Sequence, residues 1–157
     1  MSRILRAALI GGACVAVLDI SGAMVLAYAR SGVEPIAVLQ SVASGALGKS
    51  AYAGGITTAL LGLAMHTGIA LVAATVFMLA ASRVPALTRR PWLWGPLHGL
   101  GVWAVMYLIV LPQRWPNNFP NFEPKHLAGQ LFCHLFLVGL PIGIVASRVL
   151  GSRDHVD

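Results

Sequence analysis

Residues 54–81 read GGITTALLGLAMHTGIALVAATVFMLAA, 28 positions without an Asp, Glu, Lys or Arg. As a helix rising 1.5 Å per residue, such a run outreaches the roughly 30 Å of hydrocarbon in a bilayer. It does not alternate apolar with polar as a barrel strand would. In lipid the backbone groups must then be satisfied within a helix. The stretch is therefore a membrane span whose only ionisable side chain is His66.

Three further runs of similar length flank it, at about residues 7–29, 92–111 and 127–149. The first could be mistaken for a secretory signal, because Ala27, Tyr28 and Ala29 form an A-x-A-like site after a basic start. It is too long for that, and Asp19 interrupts it, so it is retained as a span. Prolines and polar residues fill the connections after Ala81 and after Leu111, and Trp92, Trp94 and Trp115 stand at their edges as interface anchors. The expected fold is all-α: four transmembrane helices forming one transmembrane domain over residues 1–157, with no separate soluble domain.

Composition agrees. Residues of the set AVILMFWYC make up 57% of the 157, and charged residues 10%. A soluble domain carries about 45–50% apolar residues with glycine included, and about 25% charged. A short chain needs more polar covering than a large one, and this one has less. The formal net charge is +6, but the basic residues sit in small groups beside the ends of the apolar runs. That pattern suits lipid headgroups, and no basic stripe supports a nucleic-acid partner. With both termini cytoplasmic, Arg3, Arg6, Arg83, Arg89, Arg90, Arg148 and Arg153 lie inside, against Arg30, Lys49, Arg114 and Lys125 outside. The positive-inside rule favours that orientation.

Residues 35–50 differ from a plain connection. Pro35 can open a helix, and Ile36, Leu39, Val42, Ala43, Ala46 and Leu47 recur at helical spacing opposite Gln40, Ser41, Ser44 and Gly48. The segment is too short to span, so a short amphipathic helix on the outer surface or covering the bundle is expected rather than a re-entrant one.

Between the spans, Asp19 and His66 each interrupt a stripe of small residues that permits close helix approach. By helical rise both fall within a few Å of the midplane. A charged Asp there costs at least about 2.5 kcal/mol, so it is expected to be paired or beside water, with His66 the economical partner. The bland account is a hydrogen-bonded pair that fixes helix register. The functional one is a protonatable site in a solute pathway. Gly95 with Gly99, and Gly139 with Gly143, form two G-x-x-x-G pairs suited to helix packing. Pro141 can bend the last helix, and the loop from Asn117 to His126 reads as a rigid connector.

His66, His134 and His98 are the candidates for a noncovalent haem, and Asp19, His66 and His134 for a metal ion if their helices converge. Neither cofactor is the expected state. Cys14 and Cys133 lie within apolar runs without a CxxC motif and read as small buried hydrophobes. No H-E-x-x-H, G-x-S-x-G, G-x-x-x-x-G-K or G-x-G-x-x-G occurs, so the common hydrolase and nucleotide readings gain no support.

Taken together, VLDISGAMVLAY (17–28), GVEPIAVLQSVASGALG (32–48), residues 54–83 and GPLHGLGVWAVMYLIVLP (95–112) resemble uncharacterised small bacterial integral membrane proteins, over roughly Ala7 to Pro112. The resemblance implies a bacterial inner-membrane protein and transfers no site residue. The leading functional expectation is a structural or accessory membrane protein, partnered by lipids and by a second copy or another membrane protein. The alternative is a proton-coupled transporter or small-solute pathway using Asp19 and His66. A polar path from these residues to an outer opening would favour the alternative.

Overall fold

The apolar runs become helices, and the first and last of them begin about a turn before their hydrophobic edges, where a polar side chain caps each. The computed structural model describes residues 1–151, so Arg153, one of the basic residues counted inside, lies outside the described residues. Helix α1 (Arg3–Ser31) begins at Ser2, whose hydroxyl accepts from the Leu5 amide at 3.2 Å. It ends at Gly32, a left-handed residue with φ 64° whose N–H reaches the carbonyls of Ala27 and Tyr28. Helix α2 (Pro35–Leu47) starts on its proline and runs into a 3₁₀ segment, Gly48–Ala53. Then come α3 (Gly55–Ala81), a single helical turn at Ala86–Arg89, α4 (Pro91–Arg114) and α5 (Pro124–Leu150). The Glu123 carboxylate caps α5, accepting from the amides of His126 at 2.9 Å and Lys125 at 3.2 Å. Those two N–H groups hold its carboxyl below the usual carboxylate range.

Helices α1, α3, α4 and α5 are each long and apolar enough to cross a membrane. Large apolar side chains clothe the outside, Val17, Val25, Val72 and Ile109 among them. The chain is a multi-pass membrane protein with four spans. The face on which α1 begins is called the near face here, and the opposite one the far face.

The spans pack in the order α3, α1, α5, α4. Small residues set these seams. On α1, Gly11 and Gly12 are buried against α3, and a Cβ on Gly12 would sit 3.0 Å from the Leu71 backbone. Both glycine pairs are used at the α4–α5 seam. A Cβ on Gly95 would stand 2.7 Å from the Gly139 carbonyl oxygen, and one on Gly143 2.8 Å from that of Pro91. One on Gly99 would run into the His134 carbonyl. Backbone there meets backbone. The near half of the bundle is filled by Ala7, Ala8, Ala74, Phe77, Met78, Ala81, Ile142 and Ala146.

Two helices change pitch. Met106–Val110 in α4 and Cys133–Gly139 in α5 are π-helical, and each segment ends two residues before a proline, Pro112 or Pro141. Proline has no N–H to give the preceding turn and its ring crowds the carbonyl four residues back. Widening that turn relieves the crowding, and a wide turn re-aims the side chains it holds. Pro141 thus changes the helix by widening the preceding turn.

Helix α2 covers the far end and is turned inside out relative to a soluble helix. Its buried residues are Gln40, Ala43 and Ser44, whereas Ile36 and Leu47 are exposed. It crosses α3 so closely that a Cβ on Gly62 would collide with the Leu39 carbonyl. Gln40 Nε2 donates to the Gly55 carbonyl at 3.0 Å, tying its polar face to the start of α3. In lipid the polar side belongs against protein.

Candidate functional site

A cavity of about 630 Å³ occupies the far half of the bundle. Helix α1 supplies Val15, Asp19, Ile20 and Ala23. Helix α3 supplies Met65, His66, Ile69 and Ala70, and α2 adds Val38, Ser41, Ser44 and Gly45. The π segments contribute Met106, Tyr107 and Val110 from α4, with His134 and Val138 from α5. Arg114, Trp115, Asn118 and Phe119 line it at the far face. The volume lies in the range of small-molecule sites, and the walls are chiefly apolar with a few polar groups.

Asp19 is the only acidic residue within the four spans. Its Oδ2 lies 3.9 Å from His66 Nε2, with side-chain exposures of 17% and 13%. That is an ion-pair distance and too long for a direct hydrogen bond. His66 Nε2 is buried and has no hydrogen-bond partner, while the Ala16 carbonyl faces its ring. A buried polar atom left unpaired is rare in a folded protein.

His134 lines the same cavity and its Nδ1 bonds the Gln130 carbonyl at 2.9 Å. Its ring meets that of Tyr107 edge-on, with centroids 5.7 Å apart. Tyr107 also packs against Trp103 at 6.0 Å and Phe119 at 5.5 Å, so aromatic contacts fix this wall. Trp103 Nε1 donates to Gln130 Oε1 at 3.4 Å, linking α4 to α5 behind it.

His98 does not join this group. Its Nε2 bonds the Ala73 carbonyl at 3.1 Å and its ring packs on Phe77 at 5.0 Å, so it braces α4 against α3 outside the cavity. The haem candidates are therefore split, with His66 and His134 in the cavity and His98 committed elsewhere. Asp19, His66 and His134 do not converge as metal ligands: among the described residues no three His, Cys, Asp or Glu side chains come close enough to hold an ion. Cys133 is buried, whereas Cys14 is exposed on the outside of α1, which corrects its reading as a buried thiol. Trp115, read as an interface anchor, is half-buried and forms cavity wall.

Tyr107, Arg114 and Phe119 are site residues that the sequence did not single out as such. The available signal was Pro112, five residues after Tyr107, which forces the wide turn on which Tyr107 sits. The far-face loop, read as a connector, folds inward through Trp115 and Phe119, whose rings lie 6.3 Å apart. Arg114 Nε donates to the Ser44 carbonyl at 3.4 Å, latching α2 across the end of α4. At the other end of the same face, Arg30 donates to the Lys125 carbonyl at 2.7 Å and joins α1 to α5.

Comparison with family models, with curated proteins and with solved structures finds no match to this chain.

Proposed function

We propose that the protein is a proton-linked carrier of small amphipathic solutes, working through the Asp19–His66 cavity. The observation that supports this reading is one continuous cavity joining a carboxyl–imidazole pair, deep in the membrane, to Arg114 and Asn118 at the far face. Toward the near face the same bundle is filled by small residues, Phe77 and Met78. A site open toward one side and closed toward the other, with an ionisable pair at its blind end, is the geometry of a one-sided carrier state. An assembly role through the glycine-rich faces has less support, because Gly95, Gly99, Gly139 and Gly143 are occupied within the chain by the α4–α5 seam.

The proposed setting is the bacterial inner membrane, with the near face in the cytoplasm. On the near face stand Arg3, Arg6, Arg83, Arg89, Arg90 and Arg148, and on the far face Arg30, Lys49, Arg114 and Lys125. Labelling of single cysteines placed in the far-face loop and beside Arg83, in intact cells, tests the orientation.

Function is tested in proteoliposomes loaded with a pH-sensitive dye and challenged with a panel of small amphipathic solutes. Solute-driven proton movement is expected with the native chain and is lost in Asp19→Asn and strongly reduced in His66→Ala. Equal proton movement in native protein and both variants would sink the proposal.

A further inference from the structure

The polar groups around the blind end of the cavity are short of protons. The Asp19 carboxylate can only accept. His134 commits its Nδ1–H to the Gln130 carbonyl, so the neutral ring presents only an acceptor at Nε2. At His66 the Ala16 carbonyl competes for the ring N–H, and Nε2 stands buried without a partner. Asp19, whose side chain is 17% exposed and lines the cavity, is the acceptor that a guest's N–H group can reach. The imidazole nitrogens are a poor match for hard inorganic cations, which take oxygen ligands. Above them Tyr107, Phe119 and Trp115 line the cavity with aromatic rings, whose faces attract an organic cation and whose carbon suits an attached apolar chain.

A way in from the side is also present. Helix α3 packs on α1 and α2, and α4 packs on α5. Near the near face α3 and α4 touch through Phe77, His98 and the Ala73 carbonyl. Beyond that contact the cavity lies between them, and its lining residues Ile69 and Val110 are 40% and 44% exposed. The mouth at the far face instead carries Arg114, the only Lys or Arg among the lining residues, which opposes entry of a cation from water.

Resting on the carrier reading above, we infer that the solute is a lipophilic amine, held as its ammonium by Asp19 in the cavity that His66 and His134 also line, and admitted from the bilayer between α3 and α4. Its N–H groups supply the donors that the site lacks, and its chain lies along the apolar wall toward Val110. A proton taken up by Asp19 or by His66 opposes the ammonium, so affinity rises with pH while the amine stays protonated. The titratable groups facing Asp19 are His66 from α3, Tyr107 from α4, and Cys133 and His134 from α5. Helix α2 adds only the hydroxyls of Ser41 and Ser44.

The test uses the full chain in phosphatidylcholine nanodiscs, with radiolabelled n-octylammonium as probe and empty discs as background. Saturable binding is expected that tightens as pH rises, and that octyltrimethylammonium displaces less well than octylammonium because it has no N–H. Octanoate should not displace it. Asp19→Asn should weaken binding about ten- to hundredfold, the range carried by loss of one charged hydrogen-bond partner. Val110→Trp, which leaves every polar group in place, should slow association by narrowing the side opening, so the test does not depend on one variant folding. Displacement by octanoate as effective as by octylammonium, or unchanged affinity in Asp19→Asn, overturns the inference. Proton movement driven only by neutral or anionic solutes removes the amine and leaves the carrier, whereas no solute-driven movement removes both.

Discussion

Two helix seams in this chain follow opposite rules. Along α4 and α5 the backbones touch, because Gly95, Gly99, Gly139 and Gly143 put nothing larger than hydrogen between them. Along α3 and α4 a pair of rings, Phe77 and His98, stands between the helices at the near end, and the far end is hollow. Lipid tails are as apolar as leucine, so no hydrophobic force closes a gap between spans. Close packing happens where side chains are missing, and a chamber persists where a few large ones hold the helices apart.

The strongest way to break the contrast is to give the tight seam side chains. Gly99→Ala or Gly139→Ala drives a methyl group into a backbone carbonyl of the partner helix. Each is expected to cost about 1–3 kcal/mol by overpacking. Scanning fluorimetry in mild detergent should show a lower unfolding midpoint for each variant. Gly68→Ala and Gly101→Ala, where a Cβ meets nothing within 4 Å, should leave the midpoint near that of the native chain.

Next comes the hollow seam. Ile69→Trp should narrow the side opening, slow octylammonium association, and leave the melting midpoint unchanged or raised. A fall in midpoint equal to that of the glycine variants would mean that the two seams are not built differently. Pro112→Ala sharpens the comparison from within α4. Restoring the missing N–H should return Met106–Val110 to α-helical pitch and swing Tyr107 off the cavity wall. Binding should fall by about tenfold from misplacement of the wall, with no loss of thermal stability.

The smallest effect is at the Glu123 cap. Its carboxyl is held below the usual range by the His126 and Lys125 amides, so the stabilisation is present above the unfolded-state pKa and lost as pH falls through the folded one. Glu123→Ala should lower the midpoint slightly at neutral pH. The difference from native protein should vanish in acid, as midpoints measured across that range will show.

Much of the fold was legible because hydropathy reports solvent directly: a span must be long, apolar and helical. That Asp19 and His66 lie level with each other was legible too, since a helix rises at a fixed rate and the two sit on antiparallel neighbours. Which glycine pair meets which was not legible, because G-x-x-x-G marks a surface without naming its partner. The direction of Tyr107 was hidden by the π turn that Pro112 imposes, since a regular 100° step per residue gives the wrong heading there. Helix α2 misleads in another way. Its apolar stripe would point to a core in water, but Ile36 and Leu47 face outward here and Gln40 inward.

The contact of Gly62 with the Leu39 carbonyl has a consequence for how the protein can vary. The ceiling of the chamber rests on a position with no side chain, so any heavier residue at 62 lifts α2 and the latch it shares with Arg114. Headroom above the Asp19–His66 pair is therefore governed from one turn before His66 on α3, and Gly62→Ala or Gly62→Ser should admit bulkier guests to the chamber.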